Sequence, residues 1–369
     1  MIASTGSSHR LLLPMIGRHL RREFLWTFVL TAAAFVAIYV VADFFDRLDG
    51  FLKHDAPAGA IARIFLFKLP LILTQVTPLA VLAAGLVSLG LLARHNEFVA
   101  LRACGVSIWQ ITAPLLLLAA LISLATFAWN ETLVPYSARR WHTIENQEIK
   151  RRDAASVFMG RQVWYHGRAG FYNIARVSGR ERALYGLTVY QLGPDFLTAR
   201  VIEADSATWD GQRWQLLRAR THELGAGGVR AIPQAPEGFT LPESLDDFRV
   251  VSIEPEELSY GLLHRQIREL QQKGVDSSES WVDLHLKLAL PTASLMMMLV
   301  AVPLAAAGTR ASGLAPSIGL GLVIGFSYFV VMAFARALGQ SGALPAAVAA
   351  WAANGLFALV GGYYVLGSD

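Results

Sequence analysis

The sequence predicts an α-helical membrane protein with six transmembrane helices, arranged 3 + 3, and an all-β, jelly-roll-like domain inserted between the two halves. The chain of 369 residues is 54% hydrophobic and only 16% charged, which is little charge for a soluble protein of this length. Long uncharged segments alternate with short polar ones, and about 20 apolar residues are enough to cross a bilayer as a helix. We expect spans 1 to 3 within residues 1–130, the β-domain at residues 131–280, and spans 4 to 6 within residues 281–369.

Span 1 is expected at residues 24–42, directly after a cluster of arginines. A positive cluster before an apolar run is also typical of a secretory signal. This run is longer than a signal core, and it is followed by Asp43, Asp46 and Arg47 rather than by a small-residue cleavage site. We therefore interpret it as a retained span, followed by a polar connection over residues 43–57.

Span 2 is expected to begin near residue 61 and to end at residue 92. The run is longer than a bilayer requires, and it contains Pro70 and Pro78. Long spans tilt or kink, and a proline inside a membrane helix usually marks the kink. Span 3 is expected at residues 108–129.

The polar segment ARHNEFVALRACGVS, residues 93–107, joins spans 2 and 3 on one side of the membrane. As a helix it places apolar residues near one side and interrupts the rest with charges. Such a helix either rests at the membrane surface among the headgroups or couples a soluble motor to the spans. In the second interpretation Glu97 pairs with a cation of the motor, and Gly105 ends the helix so that span 3 can begin. The candidate coupling residues are Glu97, Phe98, Leu101, Arg102 and Gly105.

Residues 131–280 differ in character, because they are charged, rich in turn residues and without a spanning run. A helix is expected to continue out of span 3 over residues 136–153, and an amphipathic helix over residues 259–273 leads back to the membrane. Between them, short alternating or β-branched runs separated by turn signals predict a small β-sandwich or jelly roll. The expected strands are residues 162–166, 170–177, 184–192, 197–202, 213–218 and 248–253.

Spans 4, 5 and 6 are expected at residues 288–307, 314–335 and 344–366. Their orientation follows from lysine and arginine in short loops, which are enriched on the cytoplasmic side. By this count the N-terminal arginines, the segment between spans 2 and 3, and Arg310 lie on one side. We therefore expect both termini in the cytoplasm and the β-domain in the periplasm of a Gram-negative bacterium.

The sequence lacks the motifs of an integral enzyme. It contains no Gly-Lys dipeptide and hence no Walker A phosphate loop, so ATP hydrolysis is not expected on this chain. The single cysteine, Cys104, excludes an intrachain disulfide and a cysteine-based metal cluster. A net charge of +4 without a basic run gives no indication of nucleic-acid binding. Gly319, Gly321 and Gly325 in span 5 are interpreted as a surface for close helix packing. We expect no catalytic residue, no metal and no cofactor on this chain.

Four cationic residues near the expected outer side are candidates for binding an anionic lipid headgroup. Arg63 and Lys68 lie at the outer end of span 2, and Arg139 and Arg140 lie just outside span 3. Phosphate is the natural partner of a cation at a membrane surface. The alternative is that Arg63 and Lys68 only extend their charges to the interface, and that the two arginines form a solvated helix face.

These features together resemble the LptF/LptG family, the permeases of the lipopolysaccharide-export ABC transporter. The resemblance covers nearly the whole chain: six spans with the β-domain after the third, Pro70 and Pro78 in span 2, and EFVALRACGVS at residues 97–107. The family pattern there is a Glu, apolar residues, then Arg-Ala-Ser-Gly-[Ile/Val]-Ser, with Cys104 in place of the usual Ser. The segment DFFDRLD at residues 43–49 looks more like the G paralogue than the F paralogue.

The resemblance implies an inner-membrane permease subunit that extracts lipopolysaccharide and passes it to a periplasmic bridge for export to the outer membrane. It implies as partners a paralogous LptF-type permease, a cytoplasmic LptB-type ATPase dimer that binds ATP and Mg, and a bitopic LptC-type bridge protein. Spans 1 and 5 of the two permeases are expected to form lateral gates, and Glu97 is expected to couple to the ATPase. Some members carry a lysine near the outer end of span 1 for lipid A phosphates. The comparable place here holds Asp43, so Lys68 or Arg63 is expected to take that role.

A function of another class is a motor-coupled membrane scaffold or mechanotransmission protein, in which a motor moves the spans but no lipid passes through. Span lengths and prolines fit both functions. Photo-crosslinking probes in the β-domain separate them, because only a lipid-conducting permease gives ATP-dependent adducts with labelled lipopolysaccharide.

Overall fold

The structure is a computed structural model that describes residues 6–95, 97–149, 163–167, 170–178, 181–192, 198–211, 213–225, 228–232, 241, 254–272, 277–311 and 314–366. The chain divides into two compact units. The first, here called the membrane unit, comprises Met1–Asp49, Lys68–Ser137 and Ser278–Asp369. The second, here called the sheet unit, comprises Gly50–Phe67 and Ala138–Ser277.

The helices of the described residues are α1 Gly6–Lys53, α2 Ala58–Arg94, α3 Glu97–Ala103, α4 Ile108–Ile144, α5 Tyr260–Gln272, α6 Ser278–Ala311, α7 Leu314–Gln340 and α8 Ala346–Leu366. Six of them, namely α1, α2, α4, α6, α7 and α8, contain stretches long and apolar enough to cross a membrane and are here called spans 1 to 6. The six predicted spans are therefore confirmed, with the β-strands between the third and the fourth.

Span 1 extends further than predicted, because α1 continues through most of the expected polar connection and ends at Lys53. Charged side chains four residues apart support this extension, since Arg47 Nε lies 3.3 Å from Asp43 Oδ1. After span 3, α4 ends at Ile144 and a π-helical turn follows over Glu145–Ile149. The last part of the helix expected over residues 136–153 lies outside the described residues.

Span 2 lies at the centre of the membrane unit. Of its most apolar stretch 83% is buried, compared with 11% for span 1 and 22% for span 5. Span 2 therefore packs within the chain, whereas span 1 presents most of its surface outward. One hydrophobic cluster receives side chains from all six spans, among them Leu20, Phe24, Leu86, Leu89, Leu115, Met297, Tyr328 and Phe357.

Glycines allow span 5 to pack closely against span 2. A side chain added at Gly321 would collide with Leu86, and one added at Gly325 would collide with Leu79. These two glycines therefore act as the sequence predicts. Gly319 does not contribute to this contact, because a Cβ added there would meet nothing within 4 Å.

The described strands of the sheet unit form one antiparallel sheet of seven strands. They are β1 Val163–Gly167, β2 Gly170–Ser178, β3 Ala183–Leu192, β4 Thr198–Trp209, β5 Trp214–Leu217, β6 Arg220–Gly225 and β7 Gly228–Ile232. The order is β1-β2-β3-β4-β6-β7, and β5 pairs with β4 on the edge that β6 also uses. Arg218, with a φ of 51°, interrupts what would otherwise be one long strand.

The inserted all-β domain is thus confirmed, with differences in detail. The hairpin of β6 and β7 was not predicted, because the glycines around residues 225–228 indicated only a turn; Gly225 and Gly228 are its last paired residues. The strand expected at residues 248–253 lies outside the described residues. The predicted amphipathic helix is confirmed as α5, which buries Leu263, Ile267 and Leu270 at helical spacing.

Candidate functional site

The segment between spans 2 and 3 contains the short helix α3. Glu97 is exposed in its first turn, where a carboxylate is favoured by unsatisfied backbone N–H groups. The next residue, Phe98, is buried in the hydrophobic cluster of the membrane unit, and Leu101 packs against the same cluster. Helix α3 therefore presents a charge to the outside while its apolar face is anchored in the core.

Gly105 ends α3 with a left-handed residue. Its φ is +82°, a conformation that side chains disfavour. The Gly105 N–H donates to the Arg102 carbonyl oxygen at 2.9 Å, and the Val106 N–H donates to the Leu101 carbonyl oxygen at 3.1 Å. This pair of bonds is the usual closure of a helix at a left-handed glycine, and Val106 is buried in the same hydrophobic cluster. Arg102 lies half-buried in the last turn, where a cation is favoured.

Span 3 begins with a cap that was not predicted from the sequence. The Gln110 N–H donates to Ser107 Oγ at 3.3 Å, and the Ser107 N–H donates to Gln110 Oε1 at 3.1 Å. The pattern Ser-x-x-Gln before an apolar run is the sequence signal for this reciprocal cap. The segment is therefore held at both ends, by Phe98 in the core and by Ser107 on span 3.

Lys68 is buried in span 2, where its ammonium group pairs with Asp43 of span 1. Both Asp43 carboxylate oxygens lie 2.7 Å from Lys68 Nζ, and the two side chains are only 6% and 12% exposed. Arg47, one turn further along span 1, places Nε 3.3 Å from Asp43 Oδ1. Two cations thus share one carboxylate. Because Lys68 is so deeply buried, it does not simply extend its charge to the membrane surface.

The Asp43–Lys68 pair was not visible in the sequence. The two residues are 25 positions apart, and hydropathy does not tell which faces of two helices meet. Burying two charges removes them from water, and their attraction compensates for this only when geometry is good and further partners are present. The two-oxygen contact with Lys68 and the additional Arg47 meet both conditions.

Arg63 lies in the sheet unit and forms a two-bond ion pair with Glu148 of the π-helical turn. Arg63 Nη1 lies 3.1 Å from Glu148 Oε1 and Nη2 lies 2.5 Å from Oε2. The side chains are 52% and 38% exposed. This pair is geometrically good but accessible to water, so the guanidinium remains near solvent.

Arg139 and Arg140 are exposed at the end of α4, also in the sheet unit. Arg139 Nε donates to the Glu257 carbonyl oxygen at 3.1 Å, and His142 Nε2 lies 3.6 Å from Glu257 Oε1. Burial, followed by the neighbouring charge of Glu254, raises the pKa of Glu257 above its ordinary value, although Arg139 opposes the shift. Lys68, Arg63 and Arg139, three of the candidate headgroup cations, therefore each have a different partner.

A second buried acid in the membrane unit pairs with a cation of another span. Arg336 Nη2 of span 5 donates to Asp283 Oδ1 of span 4 at 2.8 Å, and the Asp283 side chain is 8% exposed. From the sequence, span 5 was expected to end at residue 335, directly before Arg336, and span 4 was expected to begin after Asp283. A charged residue inside a long apolar helix is the signal that could have indicated this pair.

Comparison with known proteins shows the family to which the chain belongs. The family model described as lipopolysaccharide export system permease LptF/LptG matches residues 18–366. The lipopolysaccharide export system permease protein LptG of Escherichia coli (strain K12) is 23% identical over 321 residues, which are 86% of this chain and 88% of that protein. LptG of Haemophilus influenzae (strain Rd) is 22% identical over 256 residues, 69% of this chain and 71% of that protein. Because the family model covers nearly the whole chain, from span 1 to span 6, the chain belongs to the LptF/LptG family of lipopolysaccharide export system permeases.

Proposed function

We propose that this chain is the LptG-type permease subunit that extracts lipopolysaccharide from the inner membrane and passes it to a periplasmic bridge for export to the outer membrane. The observation that carries the proposal is the segment between spans 2 and 3. It presents the charge of Glu97 on a short helix whose apolar face is fixed in the core. Such a helix transmits displacement from a soluble motor to the spans.

The motor is a cytoplasmic LptB-type ATPase dimer, which binds ATP and Mg and hydrolyses the nucleotide. Glu97 pairs with a cation on its surface, and Arg102 adds a second polar contact. Phe98 and Leu101 pass the motion to the hydrophobic cluster of the membrane unit. Gly105 and the Ser107 cap keep the segment from bending locally, so the movement reaches spans 2 and 3.

The second permease is a paralogous LptF-type subunit that faces spans 1 and 5. Only 11% and 22% of the most apolar stretches of these spans are buried by this chain, although both are apolar enough to cross a membrane. Spans with so much unpacked surface are suited to a lateral gate, because moving them breaks few contacts within the subunit.

A bitopic LptC-type protein receives the lipid beyond the β-domain. Both termini are cytoplasmic and the β-domain is periplasmic.

Lys68, Arg63, Arg139 and Arg140 are the cations of this chain that meet the phosphorylated headgroup. Lys68→Ala is expected to weaken lipid-stimulated ATPase activity more than basal activity, because the motor itself is untouched. Unchanged stimulation removes Lys68 from the headgroup site.

The experiment that tests the function is a charge reversal at Glu97 in the complete assembly. Glu97→Lys is expected to abolish most ATP-dependent release of lipopolysaccharide from proteoliposomes, because two cations would then face each other. Asp205→Lys on strand β4 is the matched control, since Asp205 is also exposed and lies in the sheet. Undiminished release by Glu97→Lys would overturn the proposal.

A further inference from the structure

Span 1 carries three exposed arginines at its N-terminal end. They are Arg18, Arg21 and Arg22, here called the arginine patch. Their spacing of three and four residues places them on one side of the helix. On the opposite side, Leu20 and Phe24 are buried in the hydrophobic cluster of the membrane unit. This packing fixes how the helix is turned about its axis and keeps the arginine patch directed outward.

The arginine patch has an excess of positive charge. Glu23 is the single acid among residues 1–42, and its carboxylate lies 3.8 Å from His19 Nε2 on the same helix. Arg21 Nε donates to the Gly17 carbonyl oxygen at 3.0 Å, which holds this guanidinium towards the N-terminus and away from the apolar part of the span. The other two arginines form no hydrogen bond or ion pair within the described part of the chain. The patch therefore offers several N–H donors to an external anion.

An apolar surface follows the arginine patch on the same side of the helix. Its members are Leu25, Trp26, Val29 and Leu30, here called the apolar strip, and they are 43% to 73% exposed. Tryptophan is enriched where a membrane helix passes from the headgroups into the hydrocarbon. The order along the helix is cations, then Trp26, then aliphatic side chains. A phospholipid has the same order, from its headgroup phosphate to its acyl chains.

The arginine patch and the Asp43–Lys68 pair lie at opposite faces of the membrane. Arg22 and Asp43 belong to one continuous helix and are about 30 Å apart along it, at about 1.5 Å per residue. The hydrocarbon core of a bilayer is also about 30 Å thick. The patch therefore meets the headgroups of the leaflet at the N-terminal end of span 1, which is the cytoplasmic leaflet in the proposed orientation.

We propose that the N-terminal end of span 1 is a binding site for an anionic phospholipid, whose phosphate contacts the arginine patch and whose acyl chains lie along the apolar strip. Guanidinium groups bind phosphate oxygens through pairs of charge-assisted hydrogen bonds. Each arginine near the membrane surface increases the affinity for anionic lipid by about a factor of five. A phosphocholine headgroup gains less, because its ammonium group is repelled by the same cations.

A lipid fits this surface better than a soluble protein does. An acidic protein surface would satisfy the arginine patch, but it would leave the apolar strip without a partner. A phospholipid satisfies both parts, since one molecule carries the anion and the hydrocarbon. The site goes beyond the proposed function, because it takes a lipid of the surrounding membrane and not the exported lipopolysaccharide.

The test identifies the lipid that lies on the apolar strip. The full-length chain is isolated with its bound partners through a tag and held in nanodiscs. The probes are phosphatidylglycerol and phosphatidylcholine that carry the same photoreactive group in an acyl chain, and labelled peptides are identified by mass spectrometry. In the parent protein, phosphatidylglycerol is expected to label residues 25–30 at least about fivefold more than phosphatidylcholine at the same concentration.

Arg21→Gln with Arg22→Gln is expected to reduce this preference by at least about fivefold, while Arg18 remains in place. Arg21→Lys with Arg22→Lys keeps both charges and should retain most of the preference, which separates loss of charge from loss of folding. Arg94→Gln is the matched control, because it removes another exposed cation expected on the same side of the membrane, at the end of α2. It should leave the labelling of the apolar strip unchanged.

Three results would overturn the site. The first is equal labelling of the apolar strip by both probes in the parent protein. The second is no labelling by either probe, which would mean that another protein chain covers the strip. The third is a preference that Arg21→Gln with Arg22→Gln leaves unchanged, or that Arg94→Gln reduces equally, because general surface charge would then attract the lipid. None of these results depends on release of lipopolysaccharide, so the proposed function is tested separately.

Discussion

Tyr328 of span 5 donates its hydroxyl hydrogen to Asn354 Oδ1 of span 6 at 2.8 Å, and both side chains are buried. Asn354 Nδ2 lies 2.7 Å from the Ala289 carbonyl oxygen and 2.9 Å from Thr292 Oγ1, both in span 4. One amide group therefore joins three spans. Since a bilayer offers no water to replace such bonds, the network specifies how spans 4 to 6 pack.

Asn354→Ala is expected to lower the free energy of unfolding by about 1–2 kcal/mol, because it leaves the Tyr328 hydroxyl and the Ala289 carbonyl without this partner. The measurement is reversible unfolding in bicelles. Tyr328→Phe is the matched control. It loses one hydrogen bond but keeps the ring that packs edge-on against Phe357, with ring centroids 5.3 Å apart. Its free energy of unfolding should therefore fall by less than that of Asn354→Ala. Equal stability of Asn354→Ala and the parent protein would contradict the role of the network.

Gly105→Ala is expected to destabilise the end of α3 by about 1–2 kcal/mol, the cost of a left-handed residue with a Cβ. The cost is confined to the local backbone, because a Cβ added at Gly105 meets no atom beyond its chain neighbours within 4 Å. In the reconstituted assembly the amount of lipopolysaccharide released per ATP hydrolysed should fall, while basal hydrolysis is retained. Gly105→Asn, which tolerates the left-handed region, should stay close to the parent value. If Gly105→Ala and Gly105→Asn lower the lipopolysaccharide released per ATP equally, the left-handed backbone conformation is not the cause of the effect.

Glu257 is expected to make stability depend on pH. Its pKa is raised above 4.5 in the folded protein, chiefly by burial. The folded state therefore holds more protons than the unfolded state between the ordinary and the raised pKa, and stability falls as pH increases through that window. Glu257→Gln should flatten this fall in thermal unfolding measured over a pH series.

The comparison for Glu257 is made in a His142→Gln background, because the His142 imidazole lies 3.6 Å from the Glu257 carboxylate. Glu203→Gln, an exposed acid of the sheet, is the control and should leave the profile unchanged. A parent protein whose stability rises through the window would contradict the expected sign of the dependence.

Arg63→Ala is expected to change stability by less than about 1 kcal/mol, because its pair with Glu148 is exposed on both sides. If Arg63 contacts the lipid headgroup, variants of this pair should change the affinity for lipid A, whereas a purely structural pair would leave that affinity unchanged. Glu148→Gln should then tighten binding of phosphorylated lipid A by freeing Arg63, and Arg63→Ala should weaken it. If both variants bind lipid A like the parent protein, Arg63 has no contact with the headgroup.

The candidate site could be located from the sequence where its signals are local. The segment around Glu97 stands out because a short charged stretch separates two long apolar runs, and Gly105 is the residue type that a left-handed helix end needs. The Ser107 cap has an equally local signal, Ser-x-x-Gln. The pairing of Asp43 with Lys68 has none, because it depends on the rotation of two helices about their axes.

The number of spans, the place of the inserted β-domain and the position of the segment between spans 2 and 3 all follow from the chain alone, since hydropathy and turn residues act over short distances. Only the tertiary packing decided which spans are buried within the chain. Spans 1 and 2 are both apolar enough to cross a membrane. Yet only 11% of the most apolar stretch of span 1 is buried, compared with 83% of that of span 2. Hydropathy states only that a helix avoids water, whereas the choice between lipid and protein as its surroundings depends on the shape and polar contacts of the neighbouring helices.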